Sequence, residues 1–195
     1  MKRILLLDLG NVVFHVRFEP FEAWLRGQLT RPNPGIFDDF GPIYTAYERG
    51  EFNTGEFLRR LRSELGVEFS DDEFGSRWRD CWGDDVEGIE ALLGELPAAI
   101  EAYALSNINP LHLEDRRDSR PVLRYFKKIF ASYEMGCAKP ERAIYDRVVR
   151  ELKVSASAIA FFDDRPENVE GARAAGLEAH VFENAGQIRR VLGLR

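Results

Sequence analysis

Four segments of the sequence carry polar side chains of the kinds that transfer phosphoryl groups. They offer a carboxylate, a hydroxyl with an amide, an ammonium and a pair of carboxylates, and the residues are Asp8, Ser106, Asn107, Lys139, Asp163 and Asp164. A carboxylate can attack phosphorus, an ammonium can neutralise the transferring group, and paired carboxylates can hold a divalent ion. This set of residue types matches covalent phosphoryl transfer assisted by a divalent ion.

Three of these segments follow short apolar runs, which predict buried strands. The runs cover residues 4–7, 102–105 and 159–162, and each ends at one of the polar groups. Ligands of open parallel sheets bind at the carboxyl ends of the strands, so the three polar ends are expected at one edge. Lys139 precedes a proline, which favours a loop that delivers the lysine and then a helix.

Each segment taken alone also has a purely structural interpretation. Asp8 is compatible with a turn cap, Ser106 or Asn107 with a helix cap, and Lys139 with a solvated loop cation. Asp163 and its neighbour could merely favour the start of the next helix. Adjacent buried carboxylates repel each other unless a cation neutralises them, however, and Mg²⁺ binds such groups together with phosphate oxygens. Four signals at predicted strand ends and loops favour the chemical interpretation.

The alternation of predicted strands and helices indicates an α/β fold with a doubly wound parallel sheet. It is interrupted once, because residues 15–85 are predicted to be entirely helical, as four short helices. We expect this interval to form a small helical-bundle cap over the strand ends. The remaining residues, 1–14 and 86–195, are expected to form the core domain.

Turns and helix ends are also predicted from particular residues. Gly10 and Asn11 directly follow the first candidate carboxylate and both tolerate the left-handed backbone region, which predicts a sharp turn. Thr54 and Ser70 are predicted N-caps of cap helices, and Gly66 is a predicted C-terminal stop.

Composition excludes several classes of partner. The chain has 195 residues, a formal net charge of −6 and a pI near 5.3, which argues against nucleic acids and anionic membranes. Cys81 and Cys137 belong to no metal-binding spacing and are expected to be free thiols. No apolar stretch approaches a membrane span. We therefore expect a cytoplasmic protein. We also expect a monomer or weak homodimer, and the four polar segments favour a small phosphorylated metabolite as its partner.

The order of the four segments resembles the four motifs of the haloacid dehalogenase superfamily, over essentially the whole chain. Within that superfamily, the chain is particularly similar to the bacterial α-D-glucose-1-phosphate phosphatase branch. The segments that carry this similarity are DLGNV, YERGEFNTGEFLRRL, LSNINPLH, MGCAKPERAIYDRV and FFDDRPENVEGA.

The resemblance implies roles for the residues that handle phosphate. Asp8 would be the nucleophile that forms an aspartyl-phosphate and would also bind the metal. Ser106 and the main-chain amide of Asn107 would hold the phosphoryl oxygens. Lys139 would act in catalysis and binding by neutralising charge between the phosphate and the nucleophile.

The resemblance also implies a Mg²⁺ site. Besides Asp8, its protein ligands would be the main-chain carbonyl of Gly10 and the carboxylate of Asp164. Asp163 would be either a further ligand or an outer group that orients water.

Gly10 departs from the superfamily, because most of its phosphatases carry an acid at this position to protonate the leaving oxygen. General acid–base assistance is worth about 10²- to 10⁴-fold in rate. We therefore expect either a substrate with an acidic leaving group, such as a hexose 1-phosphate, or another acid. His15 and His112 lie near two of the motifs and are candidates for that acid.

The cap is expected to select the substrate. One of the residues Tyr47, Glu48 and Arg49 is expected to face it. The three tryptophans, Trp24, Trp78 and Trp82, could line a sugar pocket, although aromatic residues at helical spacing more often fill a bundle's core.

Two alternatives from other classes remain open. A carbon–halogen hydrolase also uses an aspartyl ester and lacks the acid two positions later, but it needs no metal and leaves the acid pair Asp163 and Asp164 unexplained. A non-catalytic interaction protein would fit the departure at Gly10 and a second departure at Val12, where most members of the superfamily carry a hydroxyl residue. Such a protein has no reason to keep the complete set of polar groups.

Overall fold

A parallel sheet forms the centre of the molecule in the computed structural model, which describes residues 3–113 and 120–194. The strands in these residues are β1 (Arg3–Leu7), β2 (Phe14–Val16), β3 (Trp82–Asp85), β4 (Ile100–Ser106), β5 (Ile129–Ala131), β6 (Ile159–Asp163) and β7 (Glu178–Val181). Five of them form one sheet in the order β5-β4-β1-β6-β7. All pairings in this sheet are parallel.

The register of the sheet brings the polar strand ends together. Leu7 at the end of β1 is aligned with Ala104 in β4 and with Phe162 in β6. The polar residues that follow therefore emerge side by side at the carboxyl edge. This confirms the predicted α/β fold with a parallel sheet.

Helices cover both faces of the sheet, and the first four form the insertion between β2 and β3. The helices are α1 (Glu19–Gly27), α2 (Ile36–Glu48), α3 (Thr54–Arg60), α4 (Asp71–Arg79), α5 (Ile89–Gly94), α6 (Pro110–Leu113), α7 (Ser132–Met135), α8 (Arg142–Leu152), α9 (Pro166–Ala174) and α10 (Ala185–Leu192). Side chains alternate along β1, so Ile4 and Leu6 join the apolar cluster under α8 and α9, whereas Leu5 joins the cluster under α5 and α10. The sheet is doubly wound.

The inserted helices α1 to α4 pack around a cluster of aromatic side chains. Trp78 lies at its centre and contacts Phe21 edge to face, with ring centroids 4.6 Å apart. The apolar cluster continues from these helices onto the face of the sheet that carries Leu5. Burying these rings contributes about 2–3 kcal/mol per fully buried side chain, which explains how so short an insertion keeps a defined shape.

The prediction that residues 15–85 are all helical was wrong at both ends. Phe14–Val16 and Trp82–Asp85 pair as the antiparallel strands β2 and β3. The rings of Phe14 and Trp82 stack with centroids 4.1 Å apart, and this cross-strand contact favours an extended pair over helix. The predicted domain boundaries stay a prediction.

Other local predictions had mixed outcomes. Ser70 caps α4 and Gly66 ends the segment before it with φ 70°, both as predicted. The cap of α3 is Asn53, whose side chain accepts from Glu56 N, rather than Thr54. Helix α2 begins at Ile36 and accommodates Pro42 inside it.

Two further sequence expectations concern the cysteines and membrane-spanning helices. Cys81 and Cys137 are both buried free thiols, as predicted. Among the helices in residues 3–113 and 120–194, none combines the length and the apolar character that crossing a membrane requires.

Candidate active site

A cavity of about 250 Å³ opens at the carboxyl edge of the sheet, between the core and the inserted helices. Its polar floor comes from the predicted motifs, with side chains or backbone of Asp8, Gly10, Ser106, Asn107, Lys139 and Asp164. The structure thus brings all but one of the predicted site residues to one cavity. The exception, Asp163, lies fully buried beneath the floor.

Lys139 is held between two carboxylates in the floor. Its Nζ lies 2.8 Å from Asp8 Oδ1 and 2.6 Å from Asp163 Oδ2, and its side chain is almost completely buried. Burial by itself lowers the pKa of Lys139, but the two carboxylates outweigh burial and the net pKa is raised. The lysine is therefore a fixed cation at physiological pH.

Burial of Asp8 removes its carboxylate from water, which disfavours the charged form. Burial raises the pKa of Asp8 to about 7, even though the ammonium of Lys139 lowers it. Asp8 Oδ1 accepts a hydrogen bond from Leu9 N at 2.7 Å, which fixes the carboxylate at the end of β1. A positioned carboxylate that water solvates poorly is suited to nucleophilic attack.

Three acids in or beneath the floor have the chemistry of a magnesium site. Asp8, Asp163 and Asp164 each offer an oxygen, and these three atoms lie within 4.8 Å of one another. One lysine among three carboxylates leaves two negative charges uncompensated by this group. Hard oxygen donors with excess negative charge fit a dication such as Mg²⁺.

The contacts of Asp163 distinguish it from the other two acids. Asp163 Oδ2 accepts from Lys139 Nζ, while its Oδ1 accepts from Arg165 N at 2.9 Å and from Asn168 Nδ2 at 2.8 Å. Both of its oxygens are thus engaged by protein donors. These contacts favour the outer of its two predicted positions over direct ligation.

Three asparagines hold the floor in place, and sequence reasoning missed the role of their side chains. Asn107 Nδ2 donates to Lys139 O at 2.9 Å, and Lys139 N donates back to Asn107 Oδ1 at 2.8 Å. Asn168 holds Asp163, as described above, and Asn11 Nδ2 donates to Asp164 Oδ2 at 3.0 Å. Each asparagine lies inside a quoted motif. The partners of Asn107 and Asn11 lie 32 and 153 positions away in the sequence, whereas Asn168 contacts an aspartate of its own motif.

The turn after Asp8 differs in detail from its prediction. Asn11 adopts the left-handed region with φ 55°, whereas Gly10 does not. A Cβ on Gly10 would lie 3.2 Å from Val16 Cγ2, so the lack of a side chain here permits a close approach of β2.

The capping interpretation of Ser106 and Asn107 is not what the structure shows. Asn109 occupies that role, because its Oδ1 accepts from His112 N at the start of α6. Ser106 is buried at the end of β4 and faces the cavity. Its hydroxyl is therefore available to a ligand in the floor.

The roof of the cavity comes from the inserted helices and the β2–β3 pair. Phe14, Phe18 and Trp82 form its apolar wall, and Tyr44 and Glu48 of α2 add polar groups. Tyr44 OH donates to Glu48 Oε1 at 2.5 Å. Desolvation raises the pKa of Glu48 to about 7.

The remaining cap candidates have structural contacts. Tyr47 is buried and its hydroxyl pairs with Thr54 Oγ1 at 2.7 Å, while Arg49 forms an ion pair with Glu141 of the core. Of this trio, Glu48 is the residue that lines the cavity. Of the tryptophans, Trp82 lines it, and Trp78 fills the cap core.

The two histidines predicted as replacement acids also differ. His15 is exposed and is not part of the cavity lining. His112 lines the cavity, but its ring is stacked on Trp78 and its Nε2 lies 3.1 Å from Trp78 O.

Comparisons with known proteins agree with this geometry. A family model described as haloacid dehalogenase-like hydrolase matches residues 3–176. D-ribitol-5-phosphate phosphatase of Bacteroides thetaiotaomicron is 27% identical, over 98% of this chain and 97% of its own. The sesquiterpene phosphatase astK of Aspergillus oryzae is 30% identical, over 75% of this chain and 78% of its own.

The fold is also similar to a solved structure. A haloacid dehalogenase family enzyme of Bacteroides thetaiotaomicron, in complex with magnesium and inorganic phosphate, superposes with a TM-score of 0.82 at 26% identity. The match covers 94% of this chain and 96% of that enzyme.

Proposed function

The chain belongs to the haloacid dehalogenase-like hydrolase family, and we propose that it releases phosphate from a small sugar or sugar-alcohol phosphate through an aspartyl-phosphate on Asp8. The observation that carries this proposal is the floor of the cavity. There a buried carboxylate lies 2.8 Å from a fixed lysine and beside two further acids. This arrangement supplies a nucleophile and charge neutralisation at one point.

Several predictions made from the sequence are confirmed at the level of the family. The superfamily, a phosphatase and magnesium as its cofactor agree with the related phosphatases and with the magnesium-bound relative. The closer resemblance to the α-D-glucose-1-phosphate phosphatase branch stays a prediction, and so do the cytoplasmic location and the monomer or weak homodimer.

The roles of the floor residues follow from their contacts. Asp8 attacks phosphorus, and Lys139 beside it offsets negative charge on the transferring group. Ser106 and the amide of Asn107 hold phosphoryl oxygens from the end of β4. Asp163 positions Lys139, because its Oδ2 accepts a hydrogen bond from Lys139 Nζ at 2.6 Å.

Magnesium would be held by Asp8, Asp164 and the carbonyl of Gly10. When bound, the ion neutralises charge on the phosphate and on the nucleophile together. Asn11 orients Asp164 for this purpose through its hydrogen bond.

The shape of the cavity supports a compact substrate. Its volume of about 250 Å³ lies below the range of roughly 300–1,000 Å³ that is usual for drug-sized ligands. A polar floor under an aromatic wall suits a phosphate attached to a small polyol whose carbon face packs on Phe14 and Trp82. A hexose 1-phosphate is the specific substrate that the missing acid at Gly10 favours.

The structure bears on the two alternatives. A carbon–halogen hydrolase gives no account of three acids whose oxygens lie within 4.8 Å of one another. A pure binding module gives no reason to bury a lysine between two carboxylates. Removing these charges from water costs free energy, and a role in catalysis would explain why they are kept. We therefore favour the phosphatase over both.

The test is phosphate release from a panel of sugar phosphates with and without Mg²⁺, including glucose 1-phosphate and glucose 6-phosphate. We expect turnover that a chelator abolishes and Mg²⁺ restores. Asp8→Asn keeps the shape of the side chain but is a poor nucleophile, so it should lose at least about 10⁴-fold in kcat. Its thermal unfolding should stay cooperative.

Two results would contradict the proposal or part of it. Turnover by Asp8→Asn at the native rate, or activity that resists a chelator, would exclude the proposed chemistry. An equal or reversed preference between the two glucose phosphates would exclude only the 1-phosphate specificity.

A further inference from the structure

Glu48 is the acidic side chain that the cap places in the cavity. It lies at the C-terminal end of α2 and lines the same cavity as Asp8 and Lys139. Its Oε1 accepts from Tyr44 OH at 2.5 Å. Within residues 3–113 and 120–194, its other oxygen, Oε2, has no hydrogen-bond partner. One oxygen is thus held in place, and the other is free for a ligand.

The backbone around Glu48 is fixed to the core, which makes the placement of its carboxyl specific. The buried hydroxyl of Ser132 donates to Glu48 O at 2.6 Å and accepts from Ile108 N at 2.9 Å. The next residue, Arg49, pairs with Glu141 in the loop that carries Lys139. Two independent contacts therefore tie the end of α2 to the core beside the floor.

Gly50 shows how close this approach is. It has φ 69°, and a Cβ at this position would overlap the main-chain oxygen of Tyr133. The segment YERGE thus folds as a docking element, in which the residues after Glu48 hold the carboxyl over the floor.

Other titratable groups that line the cavity are poorly suited to exchanging a proton with the leaving oxygen. Lys139 is fixed between two carboxylates, and the pKa of Tyr44 is raised well above its usual value by burial and by Glu48. His112 Nε2 faces a main-chain carbonyl rather than the floor. Asp164 belongs to the acid cluster assigned to magnesium.

We propose that Glu48 is the general acid and base of this enzyme and replaces the acid that Gly10 lacks, an inference that rests on the proposed phosphatase function. As the Asp8 oxygen bonds to phosphorus and the bond from phosphorus to the leaving oxygen breaks, the proton of Glu48 moves to that oxygen. In the second step Glu48, now a carboxylate, takes a proton from water. The water oxygen bonds to phosphorus, and the bond from phosphorus to Asp8 breaks.

The acidity of Glu48 agrees with both steps. Desolvation raises its pKa to about 7, so both protonation states are accessible near neutral pH. The titratable or charged groups that face it are Tyr44 from its own helix, Asp8 after β1, Lys139 before α8 and Arg165 before α9, with His112 and Asp164 in the same cavity.

This assignment changes what the missing acid at Gly10 implies for substrates. With a proton supplied from the cap, the enzyme no longer depends on an acidic leaving group, and ordinary alcohol phosphates become accessible. A strong preference for such leaving groups should appear only when Glu48 is removed.

The experiment compares Glu48→Gln with the wild type on benzyl phosphate and p-nitrophenyl phosphate. The two substrates are similar in size, but benzyl alcohol is a far weaker acid than p-nitrophenol. We expect kcat/KM to fall by about 10²- to 10³-fold on benzyl phosphate and by less than about 5-fold on p-nitrophenyl phosphate. The fall of kcat/KM on benzyl phosphate at alkaline pH, which the wild type should show, should be absent in the variant.

The matched control is Glu68→Gln, the same substitution on an exposed side chain of the inserted region, outside the cavity lining and outside the segment that docks on the core. Its kcat/KM should differ from the wild-type value by no more than about twofold on either substrate. If Glu48→Gln lowered kcat/KM equally on both substrates, the role of Glu48 would be structural. If kcat/KM fell on neither substrate, Glu48 would have no role in the reaction. Either result overturns the proposal. Failure of the phosphatase function itself would instead appear as no Mg²⁺-dependent hydrolysis of p-nitrophenyl phosphate by the wild type.

Discussion

The floor and the roof of the cavity are built in different ways. In the floor, Asp163 accepts three hydrogen bonds and Lys139 contacts two carboxylates, all at the end of a buried parallel sheet. In the roof, the carboxyl of Glu48 is held by one hydrogen bond from Tyr44, at the end of a helix inserted into the chain.

This difference indicates how the work is divided. The floor groups depend on one another, because removing any one leaves a buried charge without one of its partners. The roof group can be altered without exposing or orphaning another charge. In the proposed mechanism, phosphate chemistry therefore depends on the floor as a unit, whereas leaving-group and substrate preference can be tuned from the roof.

Lys139→Met should have the largest effect on stability, because it leaves Asp8 and Asp163 buried together without their cation. We expect the free energy of unfolding in metal-free buffer at pH 8 to fall by about 3–5 kcal/mol. The loss should be smaller at pH 5, where the Asp8 carboxyl, whose pKa is raised by burial, can bind a proton. Denaturant unfolding of the variant and the wild type at pH 8 and pH 5 measures both losses in unfolding free energy.

Lys128→Met is the control for this substitution. Lys128 forms an exposed ion pair with Glu151, and its loss should cost about 1 kcal/mol or less. If the two variants were equally stable, the floor would not be a mutually dependent unit.

Gly50→Ala tests whether the roof depends on its docking to the core. Alanine would meet both the left-handed φ of 69° and the main-chain oxygen of Tyr133, so we expect a loss of about 2–3 kcal/mol in unfolding free energy. Activity on benzyl phosphate should fall further than activity on p-nitrophenyl phosphate, because Glu48 is displaced.

Gly136→Ala separates the two causes of that loss. Gly136 has φ 61°, but a Cβ added there would point into open space, so only the backbone cost of about 1 kcal/mol applies. Thermal and denaturant unfolding of both variants gives the comparison. Equal losses would show that the close approach at Gly50 contributes nothing.

Of the three substitutions at the site and its docking segment, Glu48→Gln should change stability least, and the size of its effect depends on pH. The pKa of Glu48 is about 7 in the folded protein, against a usual value near 4.5 for the unfolded chain. The folded state therefore binds the proton more tightly, and the wild type loses stability as pH rises through this window. The variant does not titrate at this position.

We therefore expect Glu48→Gln in metal-free buffer to be more stable than the wild type by about 1–2 kcal/mol at pH 8, and the difference to vanish near pH 4. Unfolding curves across this range measure it. A difference that does not change with pH would contradict the raised pKa.

The sequence was sufficient for the floor because its signals are local. Each predicted strand is an apolar run that ends at a polar residue, and parallel strands place such ends together. Asp8, Ser106 and Asp164 could thus be assigned to one cavity without coordinates.

Features that depend on distant partners were not predictable in this way. The side chain of Asn107 meets the main chain of Lys139, 32 positions later, and no local pattern records that pair. The strands β2 and β3 were predicted to be helical for the same reason, because their pairing joins the two ends of the insertion. Glu48 could be narrowed only to one of three neighbours, since the helix face that meets the core was unknown.

Asn107 has a practical consequence for redesigning the enzyme. Its side chain bonds both main-chain groups of Lys139, so a substitution at this position would shift the lysine along with whatever contact was intended. Libraries aimed at new substrates are better placed at Phe18 and Val16, which line the cavity from the other side. Diversity there leaves Lys139 in its place.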